Sequence, residues 1–372
     1  MVKVPFLDLI QQYKDHKEDI DKEIKEVLDS ASYVLGPKVK EFEQLFAEYC
    51  GVKYCVGLSN GTSAITLALK AIGVKNGDEV IITANTFIAT AEAVSLNDAI
   101  PVFVDVDPST YLIDVNKIEE KINKNTKVII PVHLYGQCAE MDSIIKIANK
   151  HRLMIIEDCA QAQGAIYKGK KAGSMGLMGC FSFYPGKNLG AFGDAGAIVT
   201  KNETIAIKIM KLRDHGSIKK YVHELIGLNE RLDSIQAGVL KAKLKHLDEW
   251  NKKRRDIANK YKENLSGIGD IILPDELSHN EAIYHLFVIQ TKFRDALSKY
   301  LNENEIATGL HYPIPLYSQE AYKHLNLSSN NFPVTEAYSK KLLSLPIFPE
   351  MTEAQVDFVC NKIKEFFNDK KN

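Results

Sequence analysis

Residues 157–197 read EDCAQAQGAIYKGKKAGSMGLMGCFSFYPGKNLGAFGDAGA, and they carry the strongest indication of both fold and chemistry in the chain. It follows the apolar run 153–156 and opens on two acids, Glu157 and Asp158. A short apolar run that ends on a carboxylate is typical of a buried parallel strand that delivers an acid to a ligand crevice. Lys187 lies further along among glycines, which let the backbone and a ligand approach closely. The stretch therefore predicts an α/β protein whose site combines a carboxylate and a lysine.

This combination of groups favours a pyridoxal phosphate site. Lys187 would hold the cofactor as a Schiff base, and Asp158 would pair with the pyridinium nitrogen and keep it protonated. Burial in a crevice would lower the lysine pKa, and the amine released by a substrate could then shuttle a proton. The alternatives are an exposed loop lysine and an acid that only ends a strand.

Motifs for competing cofactors are missing from the sequence. There is no GxGxxG for a dinucleotide, and Gly186-Lys187 is followed by Asn188 where a phosphate-binding loop has Ser or Thr. The six cysteines form no CxxC pair and the ten histidines show no ligand spacing. We therefore expect buried thiols in a reducing cytosol and no metal site.

Length and charge bound the remaining possibilities. A chain of 372 residues is longer than a single hydrophobic core usually supports. We therefore expect a large domain over 1–245 and a small one over 246–372. A net charge of -1 gives the chain no excess of positive charge that would attract nucleic acid or an anionic membrane. The N-terminal region turns charged too early for a signal peptide, and no apolar run approaches the ~20 residues of a membrane helix. The sequence predicts a cytoplasmic protein.

Outward from the central stretch, strands alternate with helices, which predicts a mainly parallel sheet covered on both faces. The expected strands are 54–58, 80–84, 101–106, 128–133, 153–158, 180–184 and 196–200. The expected helices are 8–30, 38–49, 64–72, 203–214 and a long one over 229–265, with a polar, mobile loop at 214–227. A strand at 285–290 and helices at 293–304 and 352–368 would form a smaller α+β domain.

Several polar residues follow the expected strands at the edge where open α/β sheets bind ligands. Gly61 and Thr62 lie at a strand-to-helix turn, whose free backbone N–H groups suit a phosphate, although a plain helix cap is the alternative. Ser182 would add a hydroxyl to the phosphate site, unless it is only a polar residue at a strand edge. Phe87 is placed to stack on a cofactor ring, and ordinary core is its alternative.

The sequence resembles the DegT/DnrJ/EryC1/StrS family of sugar aminotransferases over essentially the whole chain. The matching segments are VPFLDL, VLGPKVKEFEQLFAEYCGVKYCVGLSNGTSAI, ANTFIATAEAV, VDVDPSTYLID, PVHLYGQ, EDCAQAQGA, FSFYPGKNLGAFGDAGA, GLNERLDSIQA and LPIFPEMTEAQV. The resemblance implies the aspartate aminotransferase (type I) fold and pyridoxal 5'-phosphate as cofactor. Lys187 would carry the Schiff base, Asp158 would meet the ring nitrogen, and Gln161 would meet the 3-hydroxyl. Asn229 would reach the phosphate in a neighbouring subunit, which implies a homodimer with shared sites.

Within that family, SFYPGKNLGA looks most like the enzymes that aminate C3 of a nucleotide-linked 3-keto-6-deoxyhexose. By similarity to these, the amino donor is L-glutamate, the carrier is dTDP, and the pathway makes deoxysugars for O-antigens or other glycans. Three residues would contact the sugar: Tyr184, His311 and Tyr312. Many relatives have histidine where this chain has Gln163. Two alternatives stay open, a C4 aminotransferase acting on a 4-keto sugar and a non-catalytic regulator on the same fold.

Overall fold

A computed structural model describes residues 2–369. Its α-helices are α1 Leu9–Asp15, α2 Lys17–Ser30, α3 Pro37–Cys50, α4 Gly61–Ala71, α5 Ala89–Ser95, α6 Met141–His151, α7 Glu203–Arg213, α8 Ser234–Leu244, α9 Leu247–Leu265, α10 Arg294–Glu303, α11 Pro333–Ser339 and α12 Glu353–Asp369. Within this part of the chain, no helix combines the length and the apolar character needed to cross a bilayer.

The strands are β1 Tyr54–Leu58, β2 Glu79–Thr83, β3 Ile100–Val104, β4 Thr126–Ile130, β5 Met154–Asp158, β6 Ile166–Tyr167, β7 Lys170–Lys171, β8 Met178–Ser182, β9 Gly196–Thr200, β10 Asn280–Glu281, β11 Phe287–Gln290 and β12 Leu342–Leu345. Seven of them form one sheet in the order β1-β9-β8-β5-β4-β2-β3. β9 runs antiparallel to both of its neighbours, and the remaining pairs are parallel. The prediction of a mainly parallel sheet is therefore confirmed.

Alternate side chains of the sheet enter two separate cores, one on each face. On β4, Ile129 belongs to one hydrophobic cluster, while Val128 and Ile130 belong to the other. β2 repeats this division, with Ile81 in the first cluster. Since successive side chains of a strand point to opposite faces, a strand covered on both faces is apolar at every position. This explains the near-continuous apolar runs of the sequence.

A third core lies in the C-terminal part of the chain. It is formed by α9, α10 and α12 around the antiparallel pair β11 and β12, and Val4 joins it from the N-terminus. The predicted strand at 285–290 and the two predicted C-terminal helices are present, and the sequence missed β12 and α11. The boundary proposed at 245/246 falls between α8 and α9 and remains a prediction.

Two expected helices are wrong as continuous elements. The 8–30 helix is interrupted at His16, where α1 ends and α2 restarts with Glu18 and Asp19 in its first turn, next to the positive end of the helix dipole. The 229–265 helix is two helices, and residues 229–233 are not helical. There the backbone O of Glu230 accepts from Ser59 N–H at 3.2 Å, so pairing with the end of β1 overrides helix propensity.

Candidate active site

The C-terminal ends of the parallel strands β1, β5 and β8 meet at one edge of the sheet, beside a cavity of about 790 Å³. Ten of the eleven predicted site residues line this cavity, and they come from both the large sheet and the C-terminal part. They are Gly61, Thr62, Phe87, Asp158, Gln161, Ser182, Tyr184, Lys187, His311 and Tyr312. The fold therefore brings together residues that are up to 251 positions apart, from 61 to 312.

Lys187 lies in the loop between β8 and β9. Its backbone N–H donates to the carbonyl of Tyr184 at 2.8 Å, and the loop closes so tightly that a Cβ at Gly190 would lie 2.2 Å from the carbonyl O of Pro185. Glycine is therefore required there. The Lys187 amine makes no hydrogen bond or ion pair within residues 2–369. Burial lowers its pKa to about 8, against the opposing effect of the Asp158 charge.

Asp158 ends β5 and is 4% exposed. Its carboxylate accepts hydrogen bonds from the Thr90 hydroxyl at 2.8 Å and from the backbone N–H of Ala160 at 3.1 Å. Burial raises its pKa, while these two donors and the charge of Lys187 act in the opposite direction. The two donors do not offset the cost of burying this negative charge, so the carboxylate favours a cationic N–H donor in the cavity.

Another side of the cavity is built to hold an anion. Helix α4 starts at Gly61, and the Asn60 side chain caps it by accepting from Ser63 N–H at 2.8 Å. The other first-turn amides have no intrahelical acceptor, and the helix dipole adds partial positive charge. Ser182 lies next to this turn, since a Cβ on Gly61 would be 2.6 Å from the Ser182 Cβ.

Gln161 and Tyr312 are hydrogen-bonded to each other in another wall. Gln161 Oε1 accepts from the backbone N–H of Tyr135 at 2.7 Å, and its Nε2 donates to the Tyr312 hydroxyl at 3.0 Å. His311 bonds through Nδ1 to the Ser344 hydroxyl at 2.8 Å. Burial, helped by the charge of Lys187, lowers the pKa of His311 to about 4, so this ring is neutral at pH 7.

Phe87 and Tyr184 present open aromatic surface at the cavity. Their exposed fractions are 54% and 58%, and the Phe87 ring lies 5.9 Å from that of Tyr312. Phe87 is thus not core, the alternative that the sequence left open. Its stacking on a cofactor stays a prediction.

Asn229 is the predicted site residue that does not line the cavity of its own chain. It bridges to Asp214 through the backbone, on the segment that also pairs with the end of β1. The following residue, Glu230, accepts hydrogen bonds from the hydroxyls of Ser59 and Ser63 beside the start of α4. Asn229 therefore lies near the start of α4 in space, but it does not line this cavity.

Sequence reasoning missed two basic residues that line the cavity, Arg254 and His285. Arg254 lies on α9 and donates to the carbonyl O of Ile347 at 2.8 Å. Burial lowers its pKa to about 10. In the sequence, His285 is only the first residue of an expected strand. A signal was available for Arg254, because it falls on the apolar side of an otherwise charged helix.

Outside the cavity, His133, Glu157 and Cys159 lie within 4.8 Å of one another, a grouping that could hold a metal ion. Their polar atoms are already engaged by the protein. Glu157 accepts from His133 Nε2–H at 2.8 Å and from backbone amides, and the Cys159 thiol donates to the Glu157 carbonyl O at 3.7 Å. The trio is a hydrogen-bonded support for β5.

Pyridoxal phosphate fits the residues present. The free amine of Lys187 would hold its aldehyde carbon, the buried Asp158 its ring nitrogen, and the turn at Gly61 and Ser182 its phosphate. Gln161 would meet the 3-hydroxyl. The unpaired amine that faces the cavity and the buried carboxylate with few donors are the two groups that such a cofactor would satisfy.

Comparison with known proteins agrees with this reading. The model of the DegT/DnrJ/EryC1/StrS aminotransferase family matches residues 14–364. A dTDP-3-amino-3,6-dideoxy-alpha-D-galactopyranose transaminase from Aneurinibacillus thermoaerophilus is 47% identical over 98% of this chain and 99% of that protein. A pleiotropic regulatory protein from Geobacillus stearothermophilus is 44% identical, with coverage of 98% and 99%. The crystal structure of S. venezuelae DesV in complex with a ketimine intermediate superposes with a TM-score of 0.97 at 41% identity, covering 98% of this chain and 99% of that one.

The fold and the site define a pyridoxal phosphate-dependent aminotransferase. The chain belongs to the DegT/DnrJ/EryC1/StrS aminotransferase family. The predictions of the family, of its α/β aminotransferase fold, of the cofactor and of the enzyme class are thereby confirmed.

Proposed function

We propose that this enzyme transfers the amino group of L-glutamate to C3 of a dTDP-linked 3-keto-6-deoxyhexose in a deoxysugar pathway that serves O-antigen or other glycan synthesis. The observation that carries the proposal is the Lys187 amine, with its lowered pKa, in one cavity with buried Asp158. Relatives named as dTDP-3-amino-sugar transaminases support the acceptor. The cavity of about 790 Å³ has room for more than an amino acid.

The chain's own residues supply binding and proton transfer. Pyridoxal phosphate, when bound, supplies an electron sink next to the substrate's reacting carbon. Neutral Lys187 Nζ would hold the aldehyde carbon of the cofactor, with water as the group that leaves, and once released by the amino substrate it would carry a proton to or from the substrate's reacting carbon. Asp158 would hold a proton at the ring nitrogen, and the turn at Gly61 with Ser182 would anchor the phosphate. Tyr184, His311 and Tyr312 would line the place of the sugar.

The test is a reaction with holoenzyme, L-glutamate and dTDP-3-keto-6-deoxyglucose generated in the same vessel. We expect equal amounts of 2-oxoglutarate and a dTDP-3-amino sugar, with the amine located by NMR. Lys187→Ala should abolish turnover, and the exposed Lys201→Ala serves as its matched control. An amine found at C4, or full activity of Lys187→Ala, would refute the assignment.

We further propose a cytoplasmic homodimer in which Asn229 completes the partner's site. Its position outside its own cavity supports this, as do exposed apolar side chains on the preceding loop, Ile218 and Ile226 among them. Mixing subunits tests it: inactive Lys187→Ala and impaired Asn229→Ala chains should together restore one complete site in each mixed dimer. Activity that never exceeds the sum of the two separate variants would contradict a shared site.

A further inference from the structure

A chain of buried polar side chains runs beneath the Lys187 loop. Asn251 on α9 donates its Nδ2 hydrogen to the backbone O of Gln163 at 2.9 Å. Asn188 donates its Nδ2 hydrogens to Asn251 Oδ1 at 2.8 Å and to the backbone O of Ile283 at 3.2 Å. Because a backbone carbonyl can only accept, these bonds fix which end of each amide carries the NH₂ group.

The direction of this chain fixes the tautomer of His285. Asn188 Oδ1 remains as an acceptor and lies 3.1 Å from His285 Nδ1, so Nδ1 carries the ring hydrogen. In a neutral imidazole the other nitrogen, Nε2, is then bare and can only accept. Nε2 has no hydrogen-bond partner in residues 2–369, and the ring lines the cavity.

The surroundings keep this ring neutral. Burial lowers the pKa of His285 well below its ordinary value, and the positive charges of Lys187 and Arg254 lower it further, as does His311. The Arg254 guanidinium lies beside this residue and donates to the backbone O of His285 at 3.4 Å. His285 therefore presents an acceptor to the cavity near pH 7, beside the loop that carries Lys187.

An acceptor of this kind selects among the groups that the enzyme must bind. The carboxylates of L-glutamate only accept hydrogen bonds, so they gain nothing from a bare imidazole nitrogen. The ring nitrogen and phosphate of the cofactor are provided for by Asp158 and by the start of α4. The amine of Lys187 holds the cofactor and, once released, is engaged in the proton transfer at the reacting carbon. The hydroxyl groups of the sugar remain as donors close to the reacting carbon.

We propose that His285 is a specificity residue for the acceptor sugar, accepting through Nε2 a hydrogen bond from a hydroxyl next to the carbon that receives the amine. This inference rests on the proposed function and assigns a hydroxyl of the acceptor sugar to His285 Nε2. Asn188 and Asn251 act through His285 and are positioning residues.

The chemistry of asparagine and glutamine provides a matched pair of variants. In His285→Asn, the side-chain NH₂ takes the place of Nδ1–H and still donates to Asn188, while the atom at the Nε2 position is lost. In His285→Gln, the longer amide reaches the Nε2 position and its oxygen can accept. Thermal unfolding of both holoenzymes checks that the fold is intact.

Two readouts separate binding of the sugar from the rest of the reaction. The first is the calorimetric dissociation constant of an unreactive dTDP-6-deoxyhexose, with a hydroxyl at C3, for the holoenzyme. The second is the rate at which L-glutamate bleaches the lysine-bound cofactor band. In His285→Asn the dissociation constant should rise about 10-fold or more, as expected when a buried hydrogen bond is lost. The rate of bleaching by L-glutamate in this variant should stay within about threefold of the wild-type rate. His285→Gln should recover most of the affinity for the sugar.

Unchanged sugar affinity in His285→Asn would overturn the inference, and so would an equal loss in the glutamate rate, which would indicate a general structural role. Failure of the proposed function has a different signature, because it is visible in the unmodified enzyme. A wild-type holoenzyme that does not bind the dTDP-6-deoxyhexose, or that glutamate does not bleach, would reject both the function and the role of His285.

Discussion

Glu157 and Asp158 are neighbours at the end of β5, and the protein shifts the pKa values of their carboxyl groups in opposite directions. Burial raises the pKa of Asp158, which faces the cavity. Burial also acts to raise that of Glu157, but the hydrogen bond from His133 and backbone amides of residues 173 and 176 outweigh it and lower the pKa. The two adjacent acids thus have different surroundings: Glu157 is bonded to the protein around β5, and Asp158 faces the cavity.

Glu157→Gln should destabilise the protein by about 3 kcal/mol, because its amide nitrogen would face donors in place of an acceptor. Gly173, Met175 and Gly176 N–H groups all donate to this carboxylate at 2.6 to 2.8 Å. Denaturant unfolding measures the loss. The exposed Asp142→Asn, whose partner is Lys168, is the control and should leave stability unchanged. Equal stability of the two variants would show that Glu157 is dispensable.

Gly61→Ala should weaken cofactor binding as well as the fold. The new methyl group would lie 2.6 Å from Ser182 Cβ, so the turn or the serine must move, at a cost of about 1–3 kcal/mol. Gly186→Ala is a matched control in the same cavity, where the nearest atom lies at 3.6 Å. Equilibrium dialysis gives the affinity for pyridoxal phosphate. If both variants bind the cofactor equally well, the turn at Gly61 does not hold the phosphate.

Loading of the cofactor should depend on pH through Lys187. Because the pKa of this amine is lowered to about 8, the nucleophilic form is lost as pH falls below that value. The loading rate of apo-enzyme should therefore rise about tenfold per unit up to about pH 8 and then level off. In Asp158→Asn the curve should move to lower pH, since the carboxylate raises the lysine pKa. Stopped-flow absorbance measures both curves, and a rate that climbs unchanged past about pH 10 would contradict the lowered pKa.

Asp158→Asn should keep the cofactor bound but slow the glutamate half-reaction by about 100-fold or more, because a neutral amide no longer holds the ring nitrogen protonated. The exposed Asp194→Asn, which also lines the cavity, is the control and should react at nearly the normal rate. The measurement is a single-turnover absorbance trace with excess L-glutamate. A normal rate for Asp158→Asn would remove Asp158 from the machinery.

Local sequence signals are sufficient to predict the parts of the fold that depend on hydrophobic periodicity or on a short motif. The apolar runs of a sheet covered on both faces, and the Lys187 loop with its glycines, are readable because each depends on nearby residues. The 229–265 segment failed because Glu230 pairs with Ser59, far away in sequence, and no helical pattern encodes that contact. β12 was missed for a similar reason, since its partner β11 lies more than 50 residues earlier.

The residues of the candidate site show the same difference between local sequence signals and contacts that form only on folding. Asp158 and Lys187, which belong to recognisable motifs, could be predicted to lie at one site, and both line the cavity. Arg254 shows in the sequence only as a basic residue on the apolar side of a charged helix, and His285 shows no local signal, because its significance arises from what it faces after folding. For His285 the decisive facts are the orientations of two buried amides, Asn188 and Asn251, which only the packed structure fixes.

The attachment of the cofactor to Lys187 is best measured by the absorbance spectrum of the purified protein with pyridoxal phosphate, before and after addition of L-glutamate. We expect a yellow band of the lysine-bound cofactor that L-glutamate bleaches, and no such band in Lys187→Ala. A band that glutamate leaves unchanged would reject glutamate as the amino donor. If the wild-type protein forms no band at all, the assignment of Lys187 is wrong, and the account of this site as that of an aminotransferase is contradicted.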